Sequence, residues 1–449
     1  MRKILKKLSS IQVIMAAFFL VIIVGSILLS LPFSSKDGKA VPYLDALFTA
    51  TTATCVTGLV TLPTITTWSI FGQIVILILI QIGGLGVITV VTGLMVLLHR
   101  RIGFSGRTLI SESFNLNSLE GIIKFIKKVI TLSLLIELTG ALVYMTVFVP
   151  DFGARGIWIS IFTSVSAFCN AGIDIIAENS LCNYALNPTV NITTMMLIIF
   201  GGIGFIVLFD LEKVMRSKKR KHLGFLSLHS KIALSVTLFL ICIGAILFFV
   251  FERDNPNTLQ MYSLPQKVML SLFQSVTTRT AGFATIPQEN LTQASAFVSI
   301  LLMFIGGSPA GTAGGIKTVA LFVLIISAVS VIKNKRTVDV FNRQISVDIV
   351  KKAIAVFMTS FSIVVVSTVL LLAFEGGNFI DVLYETVSAT ATVGLTRNFT
   401  GLLSSAGKII IIMTMYLGRI GPISLAFAFS VNKNSENLIT NPVEEINVG

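Results

Sequence analysis

Four stretches of this 449-residue chain share a residue pattern suited to holding a bare cation. They read Thr54-Cys55-Val56-Thr57-Gly58, Phe168-Cys169-Asn170-Ala171-Gly172, Thr278-Arg279-Thr280-Ala281-Gly282 and Thr390-Ala391-Thr392-Val393-Gly394. Backbone carbonyls in such segments can replace the hydration shell of a dehydrated ion, as they do in potassium-channel filters. Glycine suits the narrowest level, because turning successive carbonyls inward demands φ angles that a Cβ resists. On this reading Cys55 and Cys169 offer their carbonyls and their sulfurs stay idle.

The terminal glycines recur at intervals of 114, 110 and 112 residues. An aromatic stands ten residues before the glycine in three copies (Phe48, Phe162, Tyr384) and nine before it in the third (Phe273). A fixed period of this kind marks a repeated structural unit. A lone Thr/Gly stretch is better explained by close packing of transmembrane helices. Four copies, each behind a hydroxyl-rich segment and each between two apolar runs, favour the pore reading.

The elements that must position these loops follow from composition. Hydrophobic residues make up 54% of the chain and charged ones 12%, with mean hydropathy +0.90. Soluble domains carry about twice that charge. Apolar segments long enough to span a bilayer lie near 11–31, 68–98, 129–149, 191–211, 229–251, 295–332, 353–374 and 405–431. The first is too long for a signal-peptide core and is read as a span. The segments between paired spans are too short to cross and too apolar for ordinary loops. Each unit is span, half-helix, loop, span, so all four copies share one orientation about an axis along the membrane normal. Inverted-repeat transporters instead have their axis in the membrane plane. The expected fold is an all-α polytopic membrane protein with four tandem helix–pore-loop–helix repeats around a pseudo-fourfold pore. The repeats are placed at 1–98, 99–228, 229–343 and 344–449.

The net charge of +13 is not a nucleic-acid signature, because its distribution is topological. Basic residues cluster at 2–7, 100–107, 124–128, 213–221 and 333–343, followed by Lys351 and Lys352. All fall on one side, which the positive-inside rule makes cytoplasmic. The same rule puts both termini in the cytoplasm. His99, His222 and His229 lie in or beside these segments. Acids populate the opposite loops, among them Asp37, Asp151, Asp174, Glu178, Glu289 and Asp381, where they would draw cations mildly to the outer mouth. The four cysteines have no paired or metal-site spacing, and no nucleophile–base pair appears on the spans. An enzyme and a resident cofactor are therefore not expected.

The whole chain resembles the Trk/Ktr/HKT superfamily of potassium transporters, and within it the bacterial Ktr-type ion-translocating subunit. The resemblance rests on the four loops and on Gln81-Ile82-Gly83-Gly84-Leu85-Gly86 and Phe200-Gly201-Gly202-Ile203-Gly204-Phe205. It rests also on the segment 306–317 and on Gly418-Arg419-Ile420-Gly421-Pro422. It implies sodium-dependent potassium uptake through the cell membrane by a homodimer with one pore per protomer, controlled by a cytosolic nucleotide-binding ring subunit. It carries potassium-filter roles onto Gly58, Gly172, Gly282 and Gly394. A serine at the first of these goes with sodium permeation in plant relatives, so Gly58 favours potassium. No loop has a full Thr-Val-Gly-Tyr-Gly, and the four differ, so the ring is only pseudo-symmetric. A sodium-permeable or weakly selective relative is the second reading. An alternating-access carrier would need a closed midplane site instead of four parallel loops.

The run Gly306-Gly307-Ser308-Pro309-Ala310-Gly311-Thr312-Ala313-Gly314-Gly315 interrupts the 295–332 span. A helix does not pass five glycines and a proline without cost, so a break is expected below the third loop. The resemblance makes this loop a gate; the plainer alternative is a hinge that kinks the helix. Arg419 sits in the last span, where a charge faces water or a partner. It either projects into the pore below the filter or pairs with an acid such as Glu137. Lys317 presents the same choice. Arg279 is expected to turn behind the filter onto carbonyls or an acid. Asp45 and Glu385 either attract cations at the mouth or cap half-helices. Segments 100–128, 213–231 and 333–352 contact anionic lipid headgroups of the bilayer or the ring partner. No phosphate-binding motif occurs, so nucleotide sensing falls to another protein.

Overall fold

The structure, a computed structural model, describes residues 10–98, 110, 121–216, 225–335 and 337–421. The basic segment 2–7, the cluster 100–107, His99, His222, Pro422, part of 213–221, the end of the 405–431 span and both termini lie outside the described residues.

Each repeat opens with a long apolar helix: α1 (Ser10–Ser30), α5 (Ile122–Phe152), α9 (Leu228–Glu252) and α13 (Val347–Glu375). The shortest has 21 residues, about 30 Å at 1.5 Å per residue, which matches a hydrocarbon core. Their outer faces are bare hydrocarbon; Leu134, Leu135, Leu138 and Leu142 of α5 are all exposed on one stripe. Their inner faces use small residues. A Cβ on Gly140 would meet Ser164 Oγ, and one on Gly244 would meet Ser275 Oγ. Those two serines donate to carbonyls of the same long helices, Ser164 to Glu137 O at 2.6 Å and Ser275 to Ile241 O at 2.8 Å.

The half-helices follow: α2 (Tyr43–Cys55), α6 (Arg155–Phe168), α10 (Leu264–Thr277) and α14 (Phe379–Ala391). At 13 or 14 residues they run about 20 Å and cannot cross. They are buried although rich in hydroxyls. Several hydroxyls solve this by donating one turn back, as Thr49 does to Asp45 O (2.9 Å), Thr51 to Leu47 O (2.7 Å) and Thr390 to Thr386 O (2.7 Å).

The second helices depart from the expected straight spans. In 68–98, α3 (Ile70–Leu85) and α4 (Val87–Leu97) meet at 97°. In 191–211, α7 (Pro188–Gly202) and α8 (Phe205–Arg216) meet at 99°. The bends fall on Gly86 (φ 85°) and Gly204 (φ 93°), a conformation closed to residues with a Cβ. In the third repeat α11 (Gln293–Phe304) and α12 (Thr318–Ile332) are separated by an irregular loop, as expected. In the fourth, α15 (Ser405–Ile420) stops at Gly421 (φ 91°). Length and hydropathy predict a break in the third repeat only; the first, second and fourth second helices bend or end at one register, on Gly86, Gly204 and Gly421, whereas the third ends earlier, at Phe304. A two-stranded hairpin, β1 (Val338–Val340) with β2 (Arg343–Ile345), joins α12 to α13.

Candidate ion pathway

The four loops fold alike. The residue two before each terminal glycine is left-handed: Val56 (φ 56°), Asn170 (59°), Thr280 (67°) and Thr392 (52°). The glycine is again positive, with φ of 98°, 64°, 84° and 96° at Gly58, Gly172, Gly282 and Gly394, while the residue between is not. Alternating hands of this kind turn successive carbonyls to one side of the chain.

The glycines also give the loops an order. A Cβ on Gly58 would land on Ala171 O, one on Gly172 on Ala281 O, one on Gly282 on Val393 O, and one on Gly394 on Thr57 O. Each contact is to the next repeat, and the fourth returns to the first. Only a closed ring does this, so the four loops surround one axis, with the carbonyls of Thr57, Ala171, Ala281 and Val393 packed between neighbouring glycines.

Behind the ring, the half-helix carboxyl ends hold each loop. Thr57, Ala171 and Val393 donate their N–H to Thr52 O, Ser166 O and Ser388 O, each at 2.8 Å. In the third loop Ala281 N–H reaches Thr277 O at 3.0 Å, one residue nearer, which is the one-residue shortfall between Phe273 and Gly282. Hydroxyls complete the support in two patterns. Thr52 and Ser388 accept from Gly58 and Gly394 N–H, both at 3.0 Å. Ser166 and Thr277 instead donate to Ile173 O (2.5 Å) and Phe283 O (2.6 Å). The hydroxyls of Thr54, Thr57, Thr280 and Thr392 are buried without a protein partner among the described residues, leaving oxygen lone pairs beside the ring.

On the outer side a belt of polar contacts ties repeat to repeat. Trp158 Nε1 donates to Gln73 Oε1 (2.8 Å), Leu181 N–H to Ala284 O (3.0 Å), and Lys408 pairs with Asp45 (2.6 Å). Arg397 pairs with Asp381 (2.6 Å) and donates to the carbonyls of Gln288, Glu289 and Leu291. Asp45 is thus neutralised, and Glu385 accepts from Thr396 (2.7 Å) and Thr400 (2.5 Å); neither caps its half-helix. Asp174, two residues past the second ring glycine, has no such cation among the described residues. Burial pushes its carboxyl up to about 6, against hydrogen bonds from Ser180 and from the Ile176 and Ala177 N–H groups.

Beneath the ring the symmetry ends. Gly83, Gly201 and Gly418 each lie against the carbonyl four residues before a ring glycine, namely Thr54 O, Phe168 O and Thr390 O, where a Cβ would overlap. The next position holds Gly84, Gly202 and, in register, Gly307; in the fourth repeat it holds Arg419. Arg419 donates to Thr312 O at 2.7 Å, to Gly83 O, and to Gly84 O at 3.5 Å. Its pairing with Glu137, one of the two sequence-based alternatives, does not form. Glu137 instead accepts from Gln81 Nε2 at 3.0 and 3.3 Å.

The loop 305–317 crosses under the ring. Ser308 N–H donates to Gly202 O (2.8 Å) and Thr312 N–H to Gly201 O (3.1 Å), while Ala310 O accepts from Phe205 N–H (2.9 Å). Thr312 Oγ1 donates upward to Phe168 O at 3.1 Å, and Gly314 packs under Ala391 and Thr392. The loop therefore lies along the break in the second repeat, which is why Gly201, Gly202 and Gly204 bear on it. Lys317 turns back onto its own loop, donating to Ala313 O (2.6 Å) and Gly314 O (3.3 Å). Arg279 points behind the third loop onto Thr237 O (3.0 Å) and Gly306 O (3.2 Å), both carbonyls. Sequence alone does not reveal Thr52, Arg397, Lys408 or the bends at Gly86 and Gly204. The readable signal was the Gly-x-x-Gly spacing shared by Gly83/Gly86, Gly201/Gly204 and Gly418/Gly421.

Re-entrant half-helices around a carbonyl-lined axis, set among lipid-facing helices, define a pore-loop membrane transporter rather than an enzyme. The chain belongs to the TrkH family of cation transport proteins, which matches residues 2–441. Ktr system potassium uptake protein B of Bacillus subtilis is 41% identical over 98% of this chain and 96% of its own length. Potassium/sodium uptake protein NtpJ of Enterococcus hirae is 39% identical over 100% of this chain and 99% of its own. The crystal structure of the potassium transporter TrkH from Vibrio parahaemolyticus has the same fold, with a TM-score of 0.72 over 92% of this chain and 84% of that one at 18% identity.

Proposed function

We propose that this chain takes up potassium across the cell membrane, passing the ion through the ring of Gly58, Gly172, Gly282 and Gly394. The reading is carried by the closed cycle of glycine-to-carbonyl contacts, which leaves no room for a side chain at the ring and surrounds one axis with backbone oxygen. The potassium uptake named for the Bacillus subtilis relative supports the choice of ion. The loop 306–315 is the gate, with Arg419 its latch and Lys317 its brace. Sodium acts as coupling or activating ion, in keeping with the name of the Enterococcus hirae relative. Two copies of the chain form the transporter, and a cytosolic nucleotide-binding ring subunit controls it from the basic face, where both termini also lie. Lys128 and Arg216, paired there with Glu212, belong to that face.

The test is rubidium uptake into proteoliposomes containing the purified chain, against a sodium gradient and against excess external sodium. Uptake that sodium cannot outcompete is expected. Sodium entering as fast as rubidium would favour the second reading, a weakly selective cation transporter, for which the potassium/sodium name of the second relative speaks.

A further inference from the structure

The third loop is attached to the structure beneath it differently from the other three. In repeats one, two and four the loop backbone sits directly on a second-helix glycine, Gly83, Gly201 or Gly418. The residues three before their ring glycines are Cys55, Cys169 and Ala391, none of which can bridge a gap. In repeat three that position is Arg279, and the second helix has already ended at Phe304. Leaving the helix orphans the carbonyl of Gly306, and Arg279 Nη2 satisfies it at 3.2 Å while Nη1 holds Thr237 O of α9 at 3.0 Å. The guanidinium is buried, only 6% exposed, and among the described residues it has no acid partner. A charge kept inside the membrane on two carbonyls is costly, which marks it as functional by default.

The fork joins three bodies: the fixed helix α9, the start of the 306–315 loop, and the third ring loop, where left-handed Thr280 follows directly. Beside it is a cavity of about 20 Å³, room for about one water, lined by Gly202, Thr237, Val276 and Gly307. When Gly306 moves, the fork must either release it or draw Arg279, and with it Thr280 to Gly282, out of register with the other loops. We propose that Arg279 is a positioning residue that couples the gate to the filter, so that selectivity depends on whether the loop is closed or open. The inference rests on the pathway reading above and adds to it a regulation of the same ring.

The experiment measures the rubidium-to-sodium uptake ratio, beside the rubidium rate, in proteoliposomes of the full chain. Four proteins are compared: the unsubstituted chain, Arg419→Gln to loosen the gate, Arg279→Gln, and the double variant. With Arg279 present, loosening the gate is expected to change the ratio by about fivefold, the lower end of ordinary coupling between sites. With Arg279→Gln the same loosening still changes the rate but leaves the ratio constant. Arg279→Lys, which keeps the charge but cannot fork to both carbonyls, is expected to behave like Arg279→Gln and replaces it should the glutamine variant not fold. An equal change of ratio in both backgrounds, or none in either, overturns the coupling while leaving the pathway intact. No rubidium uptake by the unsubstituted chain overturns the pathway reading, and the coupling with it.

Discussion

The ring and the layer directly below it are built from the same four repeats, yet one is nearly fourfold and the other lopsided. At the ring every repeat supplies a left-handed residue, a carbonyl and a glycine, and each glycine touches the next repeat's carbonyl. One layer down, three repeats supply glycine where the fourth supplies Arg419, and the third supplies a loop instead of a helix. On the proposed pathway the difference follows from what each layer would hold. A spherical ion is served by equal ligands on all sides, so departures at the ring are costly. An element that blocks the proposed pathway has to come from somewhere, and Arg419 and the 305–317 loop meet there, joined by the hydrogen bond from Arg419 to Thr312 O. Gly202 of the second repeat leaves room for them, where a Cβ would come against Ala313 of the loop.

Substitutions that break the upper layer should therefore do most harm. Gly394→Ala puts a methyl onto Thr57 O at a left-handed residue. Strain of about 1–2 kcal/mol and overpacking of about 1–3 kcal/mol together predict a fall in rubidium uptake on the order of a hundredfold. Retention of uptake would show that the ring is wide enough to take a methyl group. In the lower layer the sign reverses. Arg419→Gln removes charge-assisted hydrogen bonds to Thr312 and Gly83, and losing even one of them, worth about 1.5–3 kcal/mol, predicts a rise in the resting rate of at least about tenfold. A lower rate would mean that Arg419 supports conduction instead of closing the path.

Smaller effects are expected at the mouth. Asp174 titrates near 6, so about nine in ten copies are charged at pH 7 and about one in ten at pH 5. The charged form is lost as external pH falls through that value, and with it the attraction for cations. Uptake at subsaturating rubidium should fall about twofold over that range, and Asp174→Asn should flatten the profile at the lower level. Smallest is Lys408→Met, which removes the ion pair to Asp45 across the joint between repeats four and one and leaves Asp45 its hydrogen bond from Thr61. A loss of about 1 kcal/mol and a melting temperature lower by about 2 °C are predicted in detergent.

How far the sequence could be read depended on the kind of contact. The glycines at 58, 172, 282 and 394 announce themselves by period, and the shorter third loop shows in Phe273 standing nine residues before its glycine. The break at 306–315 is visible because glycine and proline are dense there. The bends at Gly86 and Gly204 are hidden, since hydropathy sums residues along the chain and is blind to the direction it takes. The choice for Arg419 between the pathway and Glu137 also needed coordinates: it turned on Gln81 occupying the glutamate. The expectation that Arg279 faces carbonyls behind the third loop agrees with its contacts, because a cation on the axis would repel it. Arg397 and Trp158 act over more than eighty residues of sequence, and no local pattern points to their partners.

The most direct test of one ring around one axis is a crystal structure grown in rubidium with anomalous data. The ring described here predicts a peak on the axis between the glycines, about equally far from the carbonyls of Thr57, Ala171, Ala281 and Val393. A peak held by two loops alone, or rubidium bound only away from the glycines, would contradict it.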